Sequence, residues 1–128
     1  MKIGLLEDNP AIVDYLSTAL ELAGHKVSAF TYGTSLLETI FTGPGTHYSL
    51  PYDLVIVDIL LPGNMSGLQA IDSLQQAIAP GELPIIIISA AAKEELDQIA
   101  VRLPHIPLLR KPFKTSTLLQ LIEQMKLA

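Results

Sequence analysis

Apolar and polar positions along this chain fall into short blocks whose period switches repeatedly between that of a strand and that of a helix. Ile3–Leu6 is a short apolar run, and Asp8-Asn9-Pro10 follows as a helix start, with a capping side chain directly before a proline suited to the first helical position. From Ala11 to Ala23, Ile12, Val13, Leu16, Ala19, Leu20 and Ala23 recur at helical spacing, and Gly24 is a fitting stop. Val27–Tyr32, β-branched and aromatic, predicts a second strand closed by Gly33. Ser35 with Glu38 suggests a capping box opening a short helix from Leu36 to about Thr42. Gly43–Pro51, with two glycines and two prolines, must be a loop.

The second half repeats the alternation. Leu54–Val57 is continuously apolar, as in a strand covered on both faces. Leu61-Pro62-Gly63-Asn64 is turn chemistry, Leu68 to Ile78 returns to helical spacing, and Pro80-Gly81 ends it. Pro84–Ile88 is the most β-prone run, Lys93–Val101 an amphipathic helix, Ile106–Leu109 a fifth strand and Thr115–Leu127 a last helix. Strands that alternate with helices need crossover connections, so the pattern predicts a parallel sheet covered on both faces, a small doubly wound α/β domain. A (βα)₈ barrel would need roughly 250 residues. A dinucleotide fold would show GxGxxG after the first strand, and none is there.

Composition narrows the class. At 128 residues, one domain is expected over 1–128, and 49% hydrophobic against 16% charged residues supplies a core and argues against disorder. The mean hydropathy of +0.41 is high. Even so, Asp53, Asp58 and Asp72 break the greasiest region well short of the roughly 18 apolar residues of a membrane span. Glu7 and Asp8 arrive before any signal-peptide core could form, so a cytoplasmic location is expected. The absence of cysteine excludes disulfides and thiolate metal sites. Thirteen acids against eight scattered bases, a net charge of −5, disfavour nucleic-acid binding.

The chemistry gathers where the strands end, which is where open α/β sheets bind ligands. The first strand delivers Glu7-Asp8, the third Asp58, the fourth Ser89 and the fifth Lys111, whereas the second delivers only Tyr32. Asp58, set between Val55-Ile56-Val57 and Ile59-Leu60-Leu61, would be costly to desolvate without a compensating charge. Three converging carboxylates would repel one another unless a cation joined them, and oxygen-only ligands suit Mg²⁺. A lysine ammonium and a hydroxyl beside such a cation make a place for a phosphoryl group. Each residue alone has a plainer reading: a helix cap, a turn aspartate, a strand-end serine, a surface lysine. Their joint placement at one sheet edge favours the site.

In order, the motifs LLEDN (Leu5–Asn9), LVIVDILLPG (Leu54–Gly63), IIISA (Ile86–Ala90) and RKPF (Arg110–Phe113) give nearly the whole chain a resemblance to the receiver domains of two-component response regulators. The resemblance implies a flavodoxin-like (βα)₅ three-layer sandwich with strand order 2-1-3-4-5. It implies Asp58 as phosphoacceptor, Glu7 and Asp8 as the acidic pair holding Mg²⁺ with Asp58 and the Leu60 backbone carbonyl, Ser89 as the switch hydroxyl and Lys111 as the phosphate contact. It also implies a cis Lys111–Pro112 bond, a sensor histidine kinase or phosphotransfer protein as donor, and no enzymatic activity beyond the domain's own phosphorylation and dephosphorylation. Output is expected on the fourth helix, fifth strand and fifth helix, through a downstream domain or protein or by homodimerisation.

Departures from the pattern define the alternatives. Leu108 stands where many receivers carry an aromatic ring, leaving room for a phosphate-independent interaction module. Gly67 lies nine residues after Asp58 rather than eight, implying one inserted residue in Gly63–Ser66, and the long Asp8–Asp58 separation is assigned to Gly43–Pro51. Leu60 and Ala91 offer no polar side chain to hold an attacking water, so a long-lived phosphoryl group is expected. An aspartate-nucleophile phosphatase would show Asp-x-Asp, which Asp58-Ile59-Leu60 lacks.

Overall fold

The computed structural model describes residues 1–41, 50–61, 63 and 65–126. Five strands and five helices alternate: β1 (Lys2–Leu6), α1 (Pro10–Leu22), β2 (Lys26–Phe30), α2 (Gly33–Phe41), β3 (Leu54–Asp58), α3 (Gly67–Ala77), β4 (Ile85–Ser89), α4 (Lys93–Arg102), β5 (Leu108–Arg110) and α5 (Thr115–Lys126). The strands form one parallel sheet in the order β2-β1-β3-β4-β5. The doubly wound α/β expectation and its strand order hold.

Alternation along the strands divides the core into two layers. Ile3, Leu5, Leu54, Ile56, Ile86 and Ile88 pack with Leu16 and Leu20 of α1 and Leu118 and Ile122 of α5. Leu6, Val55, Val57, Ile85 and Ile87 point the other way, against Leu36 and Ile40 of α2, Ile71 and Leu74 of α3, and Leu96 and Ile99 of α4. Central strands β3 and β4 are buried along their whole length, which explains why their sequences carry no alternation.

Local chemistry sets the helix starts. The Asn9 side chain accepts from the amides of Ala11 and Ile12 at 3.0 and 3.4 Å, directly before Pro10, as its spacing predicts. α2 begins at Gly33, three residues ahead of the expected start at Leu36, so Ser35 lies inside its first turn. A full capping box instead opens α3, where the Ser66 Oγ accepts from the Gln69 amide at 3.2 Å and Gln69 Oε1 from the Ser66 amide at 2.8 Å. β2 stops at Phe30, leaving Tyr32 in the turn before α2. β5 is shorter and later than expected, Leu108–Arg110, because the chain from Leu103 to Ile106 is closed into a turn by the Ile106 amide on the Leu103 carbonyl. The expected turn residues Pro62 and Asn64, the loop residues 43–49, and the ends assigned to Thr42 and Leu127 lie outside the described residues.

Candidate functional site

Strand phase decides which polar side chains meet. Glu7 continues the phase of Ile3 and Leu5, Asp58 that of Leu54 and Ile56, and Lys111 that of Leu109, all on the α1–α5 side of the sheet. Ser89 continues the opposite phase, that of Ile85 and Ile87. The carboxyl edge therefore brings Glu7, Asp58 and Lys111 into direct contact. Lys111 Nζ donates to Glu7 Oε2 at 2.7 Å and to Asp58 Oδ2 at 3.0 Å. The remaining carboxylate oxygens are held by backbone: Glu7 Oε1 accepts from the Asn9 amide at 3.2 Å and Asp58 Oδ1 from the Leu60 amide at 3.1 Å.

Both carboxylates are almost fully buried, Glu7 at 1% and Asp58 at 4% exposure, and Asp8 stands exposed beside them. Burial is the main reason the Glu7 carboxyl titrates above its ordinary range; the nearby Asp58 pushes the same way, while the bonds from Lys111 and the Asn9 amide oppose it. For Lys111 the balance reverses. Burial alone would lower its pKa, but hydrogen bonds to Glu7 and Asp58 and their charges together raise it above the ordinary lysine value. The ammonium is thus firmly charged between two acids.

One carboxylate oxygen from each of Glu7, Asp8 and Asp58 lies within 4.8 Å of the others. Opposite ligands of one Mg²⁺ stand about 4.2 Å apart, given bonds of about 2.1 Å, so these three hard oxygen donors fit a small divalent cation with modest adjustment. Next to them, Ser89 is fully buried and its Oγ accepts from the Ala91 amide at 3.0 Å. Its carbonyl accepts from the Lys111 amide at 2.8 Å, which ties the fourth strand end to the fifth. The Lys111–Pro112 bond is cis, as the resemblance implied.

Residues 3–123 match the family described as response regulator receiver domain. The chain belongs to that family. Over 114 residues, 88% of its length, this receiver is 36% identical to the transcriptional regulatory protein QseB of Escherichia coli O157:H7. It is 30% identical over 120 residues to the sensor histidine kinase GacS of Pseudomonas protegens. It spans 47% of the first and 12% of the second. Among solved structures it is similar to a CheY-like response regulator receiver domain protein from Methanospirillum hungatei, with a TM-score of 0.76, 22% identity, and coverage of 98% of this chain and 93% of that one. The last likeness speaks to the fold.

Within this receiver domain, four of the strand-end residues singled out from sequence, Glu7, Asp8, Asp58 and Lys111, come together, and Ser89 lies one strand over with its hydroxyl on a backbone amide. Leu108 is partly buried against the α2–α3–α4 layer, on the side of the sheet away from Lys111. Leu60 turns its side chain outward, 55% exposed. Sequence reasoning passed over two close approaches, Gly67 to the Asp58 backbone, whose carbonyl oxygen a Cβ on Gly67 would press into, and Gly63 to the Tyr32 ring. A Cβ on Gly63, which has φ +92°, would stand 3.1 Å from the Tyr32 ring. The S-x-x-Q pattern at Ser66–Gln69 was a readable signal for where α3 begins.

Proposed function

We propose that this receiver domain, taken as one unit over residues 1–128, accepts a phosphoryl group on Asp58 from a phosphohistidine on a sensor histidine kinase or phosphotransfer protein. What carries the reading is Lys111, charged and hydrogen-bonded to both buried carboxylates, with Asp8 alongside. Glu7, Asp8, Asp58 and the Leu60 backbone carbonyl would hold Mg²⁺, which when bound supplies positive charge against the phosphoryl oxygens. An Asp58 oxygen attacks phosphorus in line with the donor nitrogen. The new O–P bond forms as the N–P bond breaks, and its electron pair returns to the imidazole. Lys111 follows the added charge from Glu7 toward the phosphoryl oxygens, and the Ser89 hydroxyl exchanges the Ala91 amide for one of them.

That exchange would shift the loops after β4 and β5 and bias the surface of α4, β5 and α5, where Val101 and Arg110 are exposed, toward a downstream domain, a partner protein or a second copy. The chain spans about half the length of the transcriptional regulator it matches, so output beyond this segment belongs to the proposal. So do a cytoplasmic location, catalysis limited to the domain's own phosphoryl group, and no nucleic acid bound by this segment. No helix among the described residues is long and apolar enough to cross a membrane.

A phosphate-independent interaction module is the second reading, favoured by Leu108 in place of an aromatic ring. Beryllofluoride with Mg²⁺, a mimic of the bound phosphoryl group, separates the two. Saturable binding that raises the thermal midpoint of the parent and vanishes in Asp58→Asn is expected. No binding by the folded parent would favour the second reading.

A further inference from the structure

At the edge of the sheet opposite Asp58 lies a cleft of about 760 Å³ that the phosphoryl chemistry does not use. It sits under the amino end of β4, which runs from Ile85 there to Ser89 beside the acidic cluster, and four steps of about 3.3 Å put the two ends roughly 13 Å apart. Leu74, Ile78, Leu83, Ile85, Ile106 and Met125 make its apolar walls, drawn from α3, the α3–β4 turn, β4, the α4–β5 turn and α5. Enclosure by so many elements makes the site concave, and its volume falls in the range of about 300–1,000 Å³ that small-molecule sites occupy. A protein partner would call instead for a broad surface of about 800 Å² on each side.

The mouth of the cleft accepts hydrogen bonds more readily than it donates them. α3 ends on the bond from the Ile78 amide to the Leu74 carbonyl at 2.9 Å; Ile78 is then extended, and Pro80 has no N–H. Among the described residues, the carbonyls of Gln75, Gln76 and Ala77 therefore accept no backbone amide. They point along the helix axis toward Ile78–Gly81, which line the cleft. No basic residue stands in the last turn of α3 to offset this negative end. Pro84 is a second lining residue without a donor N–H, and Glu82, exposed between Gly81 and Leu83, adds an acid. Lys126, next to Met125, is held by Glu123 at 3.3 Å. That leaves His105 as the one basic side chain among the described lining residues, and its ring, when neutral, offers a further acceptor. We infer that the cleft binds a small organic cation, a molecule with an apolar body for the walls and one ammonium head for the carbonyl end of α3. Neither Asp58 nor Mg²⁺ takes part, so the inference stands apart from the phosphoryl reading.

The experiment titrates three probes of similar shape into the isotopically labelled chain without Mg²⁺ and follows the backbone amide signals by NMR: phenylbutylammonium, neutral phenylbutanol and anionic phenylbutanoate. Saturable shifts at Gln75, Ala79, Gly81 and Ile106 are expected with the ammonium. Its Kd should be about five-fold lower than that of the alcohol, the factor a single charge at a helix end carries, and the carboxylate should bind more weakly still. Gln75→Lys, at an exposed position, places a competing cation at the mouth and complements the same helix end. It should fold at least as well as the parent and weaken the ammonium about five-fold, leaving the alcohol nearly unchanged. Equal affinity for the three probes, parental ammonium affinity in Gln75→Lys, or shifts confined to the exposed Asp8 would each overturn the inference. So would the absence of saturable binding, or cleft signals that move with protein concentration alone, which would seat a second copy there.

Discussion

At Glu7, burial outweighs two hydrogen bonds. Its carboxyl is 1% exposed and titrates high although Lys111 and the Asn9 amide both favour its charged form. A carboxyl whose folded pKa lies above its unfolded one binds its proton more tightly when folded, so its stabilising contribution is present on the acid side and is lost as pH rises through the raised pKa. Without metal, the ionised Glu7 thus works against folding at neutral pH. Glu7→Gln keeps an oxygen for Lys111 to donate to and removes the charge. It should raise the midpoint of thermal unfolding at pH 7 and flatten the pH dependence, while weakening the response to Mg²⁺. A lower midpoint in calorimetry would contradict this account of Glu7. If Asp58 carries a phosphoryl group as proposed, Leu60 and Ala91 bear on its hydrolysis, since neither has a polar side chain to hold a water. Leu60→Gln is expected to shorten the life of the phosphorylated form several-fold in a decay assay, and an unchanged decay would show that water is held elsewhere.

At the scale of elements, what was legible was what repeats. Ten alternating segments could be placed from periodicity, because β3 and β4 are uniformly apolar and the helices carry one apolar face each. Boundaries set by single side-chain bonds were less legible. Asn9 was readable because proline follows it, whereas Ser35–Glu38 resembled a capping box and Ser66–Gln69 formed one. Asn9→Ala should cost about 1 kcal/mol of stability in denaturant titration, mostly through the first turn of α1. His25, between Gly24 and Lys26, gave no sign of burial in the sequence, yet it is 4% exposed where the start of β1 meets α5. Burial, helped by the positive charges of the Met1 ammonium and Lys126 against the opposing Glu123, holds its pKa below the usual histidine value. The unfolded chain then binds the proton first as pH falls below about 6.5, so stability drops on acidification. His25→Gln should remove that part of the slope.

Across the whole molecule, the high hydropathy belongs to a sheet covered on both sides, and part of the net charge of −5 sits at one edge of it. Glu7, Asp8 and Asp58 were recognisable as a site because each ends an apolar strand or follows one, and Lys111 because the fifth strand brings it to the same edge, where its ammonium suits an anion. The close seat of Gly67, at the start of α3, on the backbone of Asp58 and Ile59 was not recognisable, since one glycine in a sequence does not say what it lies against. A fold that gathers three acids at a strand edge should gain stability from a divalent cation. Mg²⁺ at about 100 times its Kd should add about 2.7 kcal/mol, and Asp8→Ala should remove most of that gain. The most direct test of the central claim is the intact mass of the protein after incubation with acetyl phosphate and Mg²⁺. The account predicts the added mass of one phosphoryl group in the parent, absent when Mg²⁺ is chelated and absent in Asp58→Asn. An unmodified parent, or equal modification of Asp58→Asn, would contradict it.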